Sequence, residues 1–172
     1  MDYSKKLVIR VIAALLLVLI PINIFYLFLL KPTLFLTFIS MSFYEPIINS
    51  NSLIINNEIL VFISACIATS AYYLLAGLVL FTKDLSLKRS LKMFFLGTLM
   101  IFIFNIIRID LLIYILIEYG VDWFNKIHLI FWNFLSTIFV AGTWIFLARK
   151  FKVKTIPVYS DLKYLVKKSG KI

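Results

Sequence analysis

Residues 93–117, MFFLGTLMIFIFNIIRIDLLIYILI, decide how the rest of this sequence is read. The run is longer than the roughly twenty residues an α-helix needs to cross a bilayer. Inside it stand Asn105, Arg108 and Asp110. A guanidinium in hydrocarbon is costly, so an arginine at that depth marks a functional site by default.

Working outward, the chain has 172 residues and is 63% hydrophobic. A water-soluble domain of this size needs more polar surface, so the composition predicts a membrane protein. Further apolar runs lie at 11–30, 59–81 and 129–148. Pro21 and Asn23 interrupt the first run, which a transmembrane helix tolerates as a kink. No small-x-small cleavage site follows it, so it reads as a retained helix rather than a signal peptide. Residues 33–44 are too few to span and read as a short interfacial or re-entrant segment. Residues 44–58 hold Pro46 and asparagines at 49, 51, 56 and 57, and read as a loop. The predicted fold class is all-α, a polytopic membrane helical bundle with about four transmembrane helices. It divides into a membrane-embedded domain over 1–148, with a catalytic core at 58–148, and a basic cytoplasmic tail over 149–172. Within that tail, 160–168 is long enough for a short amphipathic helix.

The formal net charge of +10 does not point to nucleic acid. Its basic residues gather before the first run, between the second and third, and after the last, rather than on one face of a soluble domain. That partition follows the positive-inside rule and predicts a multi-pass cell-membrane protein with both termini cytoplasmic. One cysteine, Cys66, excludes an intrachain disulfide and a multi-cysteine metal cluster. One histidine, His128, leaves no usual zinc ligand set, so neither metal nor cofactor is expected.

With helices assumed throughout, a rise of about 1.5 Å per residue puts Cys66 and Arg108 in the outer half of the membrane. His128 opens the last span at the same interface. Cys66, Arg108 and His128 are therefore the candidate catalytic residues. An imidazole activates a thiol and later protonates a leaving amine. A fixed cation stabilises a thiolate or an oxyanion where water is scarce. Asn105 shares a helix face with Arg108; Ser70 and Tyr73 follow Cys66 at helical spacing; Trp132 and Asn133 lie beside His128. These five are the candidate substrate-binding residues. Asp110, two residues from Arg108, faces elsewhere and is expected to pair with another helix.

The stretch ACIATSAYY around Cys66, FNIIRIDLLIY around Arg108, and His128 on the next helix resemble the exosortase/archaeosortase family of membrane-embedded cysteine transpeptidases. The likeness covers roughly residues 58–148, and the overall size resembles compact archaeal members of the pacearchaeosortase kind. Two positions depart from the family pattern: Ala68 stands where a glycine is usual, and Lys83 where a proline often follows. The resemblance implies cleavage of C-terminal sorting signals on secreted protein substrates, and transfer to a membrane acceptor, a lipid. It places the active site toward the outer leaflet. The competing reading is a non-enzymatic small membrane transporter or assembly factor, with Arg108 as a buried ion or anion site and Cys66 as filler.

Overall fold

A computed structural model describes residues 3–19, 21, 23–82, 85–131, 136–153 and 166. The chain runs α1 (Tyr3–Leu19), α2 (Asn23–Ser40), a 3₁₀ turn (Ser42–Tyr44), β1 (Ile47–Asn49), β2 (Ser52–Ile55), β3 (Glu58–Val61), α3 (Thr69–Leu80), α4 (Leu87–Tyr119), α5 (Val121–Ile130) and α6 (Ser136–Lys150). The amphipathic helix expected at 160–168 falls almost entirely outside the described residues.

Four transmembrane helices are not what this chain forms. Among the described residues, α4 alone is long and apolar enough to cross a membrane. The run at 11–30 breaks at Pro21 into two helices, and the second absorbs the segment expected to lie separately at the interface. The run at 59–81 yields a strand, a series of turns and only 12 helical residues in α3. The last run yields α6, with 15. A bundle of four spans is therefore lost, and the multi-pass topology and charge-based sidedness that depended on it go too. The one helix of spanning length among the described residues, α4, is apolar on nearly every face. Met93, Gly97, Ile101 and Ile109 are buried, while Phe95, Leu99, Ile103 and Ile107 are exposed.

Nor is the fold all-α. The asparagine-rich region is a three-stranded antiparallel sheet in the order β1-β2-β3. Ile55 pairs with Glu58 across a two-residue turn, Asn56–Asn57, whose φ angles are 49° and 67°. Two successive positive φ angles make the mirror-image turn that matches strand twist, and asparagine enters that region at lower cost than most residues. Asn49 pairs with Ser52 across Ser50–Asn51, where Ser50 has φ 55° and the Ser52 hydroxyl donates to the Asn49 carbonyl at 2.7 Å. The central strand β2 supplies Leu53 and Ile55 to an apolar cluster with Leu34 of α2 and Ile109 and Ile113 of α4.

A second cluster joins α3, α4 and α6 through Tyr72, Leu75, Met93, Ile101, Val140 and Leu147. Gly97 makes this crossing possible: a Cβ there would lie 2.7 Å from Leu75 Cδ2 and 2.8 Å from Leu147 Cδ1. At the other end of α4, Gly120 has φ 81°, and the chain turns there into α5, which packs back against α4. That reversal returns His128 to the level of Arg108.

Candidate functional site

Between β3 and α3 the backbone has no regular partner. Residues Ser64–Ala68 form turns, and Ala68 takes φ 56° and ψ 38° immediately before the helix starts. A left-handed alanine costs about 1–2 kcal/mol, so other contacts must hold the loop in this shape. Thr69 Oγ1 donates to the Ser64 carbonyl at 3.2 Å. Tyr26 of α2 donates its hydroxyl to the Phe62 carbonyl at 2.9 Å. From α4, Asn105 Nδ2 donates to the Cys66 carbonyl at 2.9 Å. Arg108 Nη2 donates to the same carbonyl at 2.8 Å and to that of Ala65 at 3.4 Å. The N-x-x-R pair, one turn apart on one helix face, thus clasps the Cys66 carbonyl, while the Ala65 carbonyl also accepts the Ala68 N–H at 3.2 Å.

Among the described residues, the buried Arg108 Nε and Asn105 Oδ1 have no hydrogen-bond partner. Cys66, Arg108 and His128 line one cavity of about 280 Å³. Its remaining walls come from Ile59–Ile63 and from apolar side chains of α4 and α5, including Leu112 and Phe124. The His128 ring lies 5.3 Å from that of Phe124, one helical turn earlier. His128 has its pKa lowered, first by burial and then by the positive charge of Arg108, so the ring favours its neutral form. Arg108 also borders a second, almost wholly apolar cavity of about 170 Å³ among α3, α4 and α6.

The other expected site residues are scattered. Ser70 is exposed on the first turn of α3. Tyr73 packs edge-on against Phe25, with ring centroids 5.1 Å apart. The stripe drawn from Cys66 through Ser70 to Tyr73 fails because Cys66 precedes the helix and does not share its phase. Tyr72 is the tyrosine that senses Arg108: its fully buried hydroxyl has no hydrogen-bond partner, and burial raises its pKa against the opposing pull of that cation. Trp132 and Asn133 lie outside the described residues. Asp110 lies near Ser40 of α2, but the Ser40 hydroxyl donates to the Thr37 carbonyl at 3.1 Å and Asp110 Oδ1 has no hydrogen-bond partner among the described residues. Phe124 and strand β3 were missed as cavity walls; the four-residue spacing of Phe124 from His128 on one helix was the signal available.

Cysteine catalysis is not supported by this arrangement. The Cys66 thiol makes one long contact, 3.9 Å to the Val61 carbonyl oxygen of its own loop. No hydrogen bond joins it to His128 among the described residues, and the Arg108 donors that are engaged face peptide carbonyls. No group of three histidine, cysteine, aspartate or glutamate side chains gathers as a metal site among the described residues. With one helix of spanning length instead of four, this fold does not build a membrane-embedded thiol protease or transpeptidase of the sortase kind. Compared with known family models, curated proteins and solved structures, the chain matches none. The resemblance to exosortases and archaeosortases rests on the short motifs alone.

Proposed function

We propose that this protein binds a small amphipathic anion, a carboxylate carried on an apolar body, at Arg108. The observation that carries this reading is a guanidinium beside an imidazole in the wall of a cavity whose other walls are largely apolar. Apolar pockets with a few convergent polar groups are the usual form of small-molecule sites. A volume of about 280 Å³ suits a ligand below the size of most drugs. Arginine keeps its charge in such surroundings and presents several N–H donors in a fixed plane. Both hydrogen bonds that its guanidinium makes among the described residues leave from Nη2, so the clasp on the Cys66 carbonyl leaves other donors over. The site needs no nucleophile, and Cys66 serves as a small apolar wall.

Calorimetry with butanoate and with butanol tests the reading on the unaltered protein. A hydrogen bond to a charged group contributes about 1.5–3 kcal/mol, so the carboxylate is expected to bind roughly 10- to 100-fold more tightly. Equal affinity for the acid and the alcohol would remove Arg108 from the site. The pH dependence has a definite sign. The His128 pKa lies below its ordinary value in the free protein, and a bound carboxylate raises it. Binding then takes up a proton, so affinity increases as pH falls from 8 toward 5.5. His128→Gln is expected to flatten that profile.

A further inference from the structure

Arg108 is the one residue that borders both the cavity facing β3 and the apolar cavity among α3, α4 and α6. We infer that the two cavities are the head and tail compartments of a single site, and that the ligand class is an unbranched medium-chain carboxylate. This rests on the proposed anion site and specifies what lies beyond the carboxylate. The second cavity, of about 170 Å³, opens where Ala68 and Ala71 present small side chains to α4 and α6. Phe104 of α4 and Phe139 of α6, in ring contact with each other, form part of its wall. Asn105 is the other polar residue on its wall besides Arg108, and its Nδ2 is already tied to the Cys66 carbonyl. Such a compartment offers burial and almost no hydrogen bonding, which suits hydrocarbon.

Shape selects a chain over a ring. In the proposed site the two lobes join at Arg108, so the ligand's body bends past the guanidinium. A flexible methylene chain does so, whereas a rigid ring fills one lobe and cannot enter the other. The anchor sits at the junction, so carboxylate and tail are held on opposite sides of Arg108. Ala68, just before α3, and Ala71 on it are then a specificity feature, because a larger side chain at either position would close the tail compartment.

The test is a competition series of straight-chain carboxylates from butanoate to dodecanoate against a fluorescent fatty-acid probe. In the tail compartment each added methylene is expected to tighten binding up to about fourfold, until the space is filled. Ala71→Leu is expected to lower the octanoate-to-butanoate affinity ratio at least tenfold. Octanoate is also compared with cyclohexylacetate, which has the same number of carbons, on the unaltered protein, so the test survives if the variant fails to fold. Octanoate should bind at least tenfold more tightly. A flat chain-length profile, an unchanged ratio in Ala71→Leu, or equal affinity for the ring and chain acids would each overturn the inference. In all three cases butanoate binding would persist and the anion site would stand. Loss of butanoate's preference over butanol would instead remove the anion site itself.

Discussion

Strand β3, the turns after it and α3 carry residues 58–80 through two changes of direction, whereas α4 carries 87–119 as one unbroken helix. The two regions meet at the site, and they contribute to it in opposite ways. A continuous helix consumes its own carbonyls in i to i−4 hydrogen bonds and offers side chains. A broken segment leaves carbonyls free and depends on side chains from elsewhere. Asn105 and Arg108 on the one therefore close on the Cys66 and Ala65 carbonyls of the other. Had 58–80 continued as a helix, those carbonyls would have been satisfied internally and Arg108 would have had no such partner. The difference shows why the half-buried Arg108 is first a structural clasp; the proposed ligand would draw on what the clasp leaves unused.

The largest expected effect comes from removing what holds the irregular region down. Leu53 in β2 is fully buried against α2 and α4. Leu53→Ala should cost about 2–5 kcal/mol, measured by urea denaturation. Hydrogen exchange should locate the loss in the sheet and the Cys66 turn while α4 stays protected. Uniform loss of protection would show that the two regions unfold as one unit.

On the regular side, Gly97 is the narrowest point. Gly97→Val forces a side chain into space held by Leu75 and Leu147 and should cost about 1–3 kcal/mol. The same exchange measurement should now place the loss at the α3–α4–α6 crossing. A neutral result would mean that the helices separate freely and the crossing is not close-packed.

The smallest effect sharpens the comparison at its hinge. Ala68 holds φ 56° without being glycine. Ala68→Gly removes a left-handed penalty of about 1–2 kcal/mol against an entropic cost of roughly 0.5–1 kcal/mol for glycine. A net gain of about 0.5–1 kcal/mol in unfolding free energy is expected. Destabilisation would indicate that the Ala68 methyl group is needed as a wall of the apolar cavity.

Some of this was legible along the chain. Arg108 and Asn105 declared themselves by being polar inside a long apolar run, and their four-residue window put both on one face of a helix that does form. Asp110 two residues on had to face elsewhere, and it does. The sheet was legible in part and overlooked. SLII and EILV flank Asn56–Asn57, two apolar runs separated by two residues fitted to a tight hairpin turn. Asparagine density drew attention to the loop and away from the strands beside it.

What the sequence determined by itself was local: that Asn105 and Arg108 share one helix face, that Pro21 interrupts the first apolar run, and that a charge is held among apolar neighbours. Which apolar run would stay helical was decided by tertiary structure. Hydropathy sums transfer preferences and is blind to whether an apolar face meets lipid, another helix or a sheet. The turn at Cys66 exists because β2, Tyr26, Asn105 and Arg108, from distant parts of the chain, together outweigh one more stretch of helix. Such long-range contacts have no periodicity to betray them. The same packing brought His128 into one cavity with Arg108 and let Arg108 border a second, so the site's shape belongs to the fold and not to any one segment.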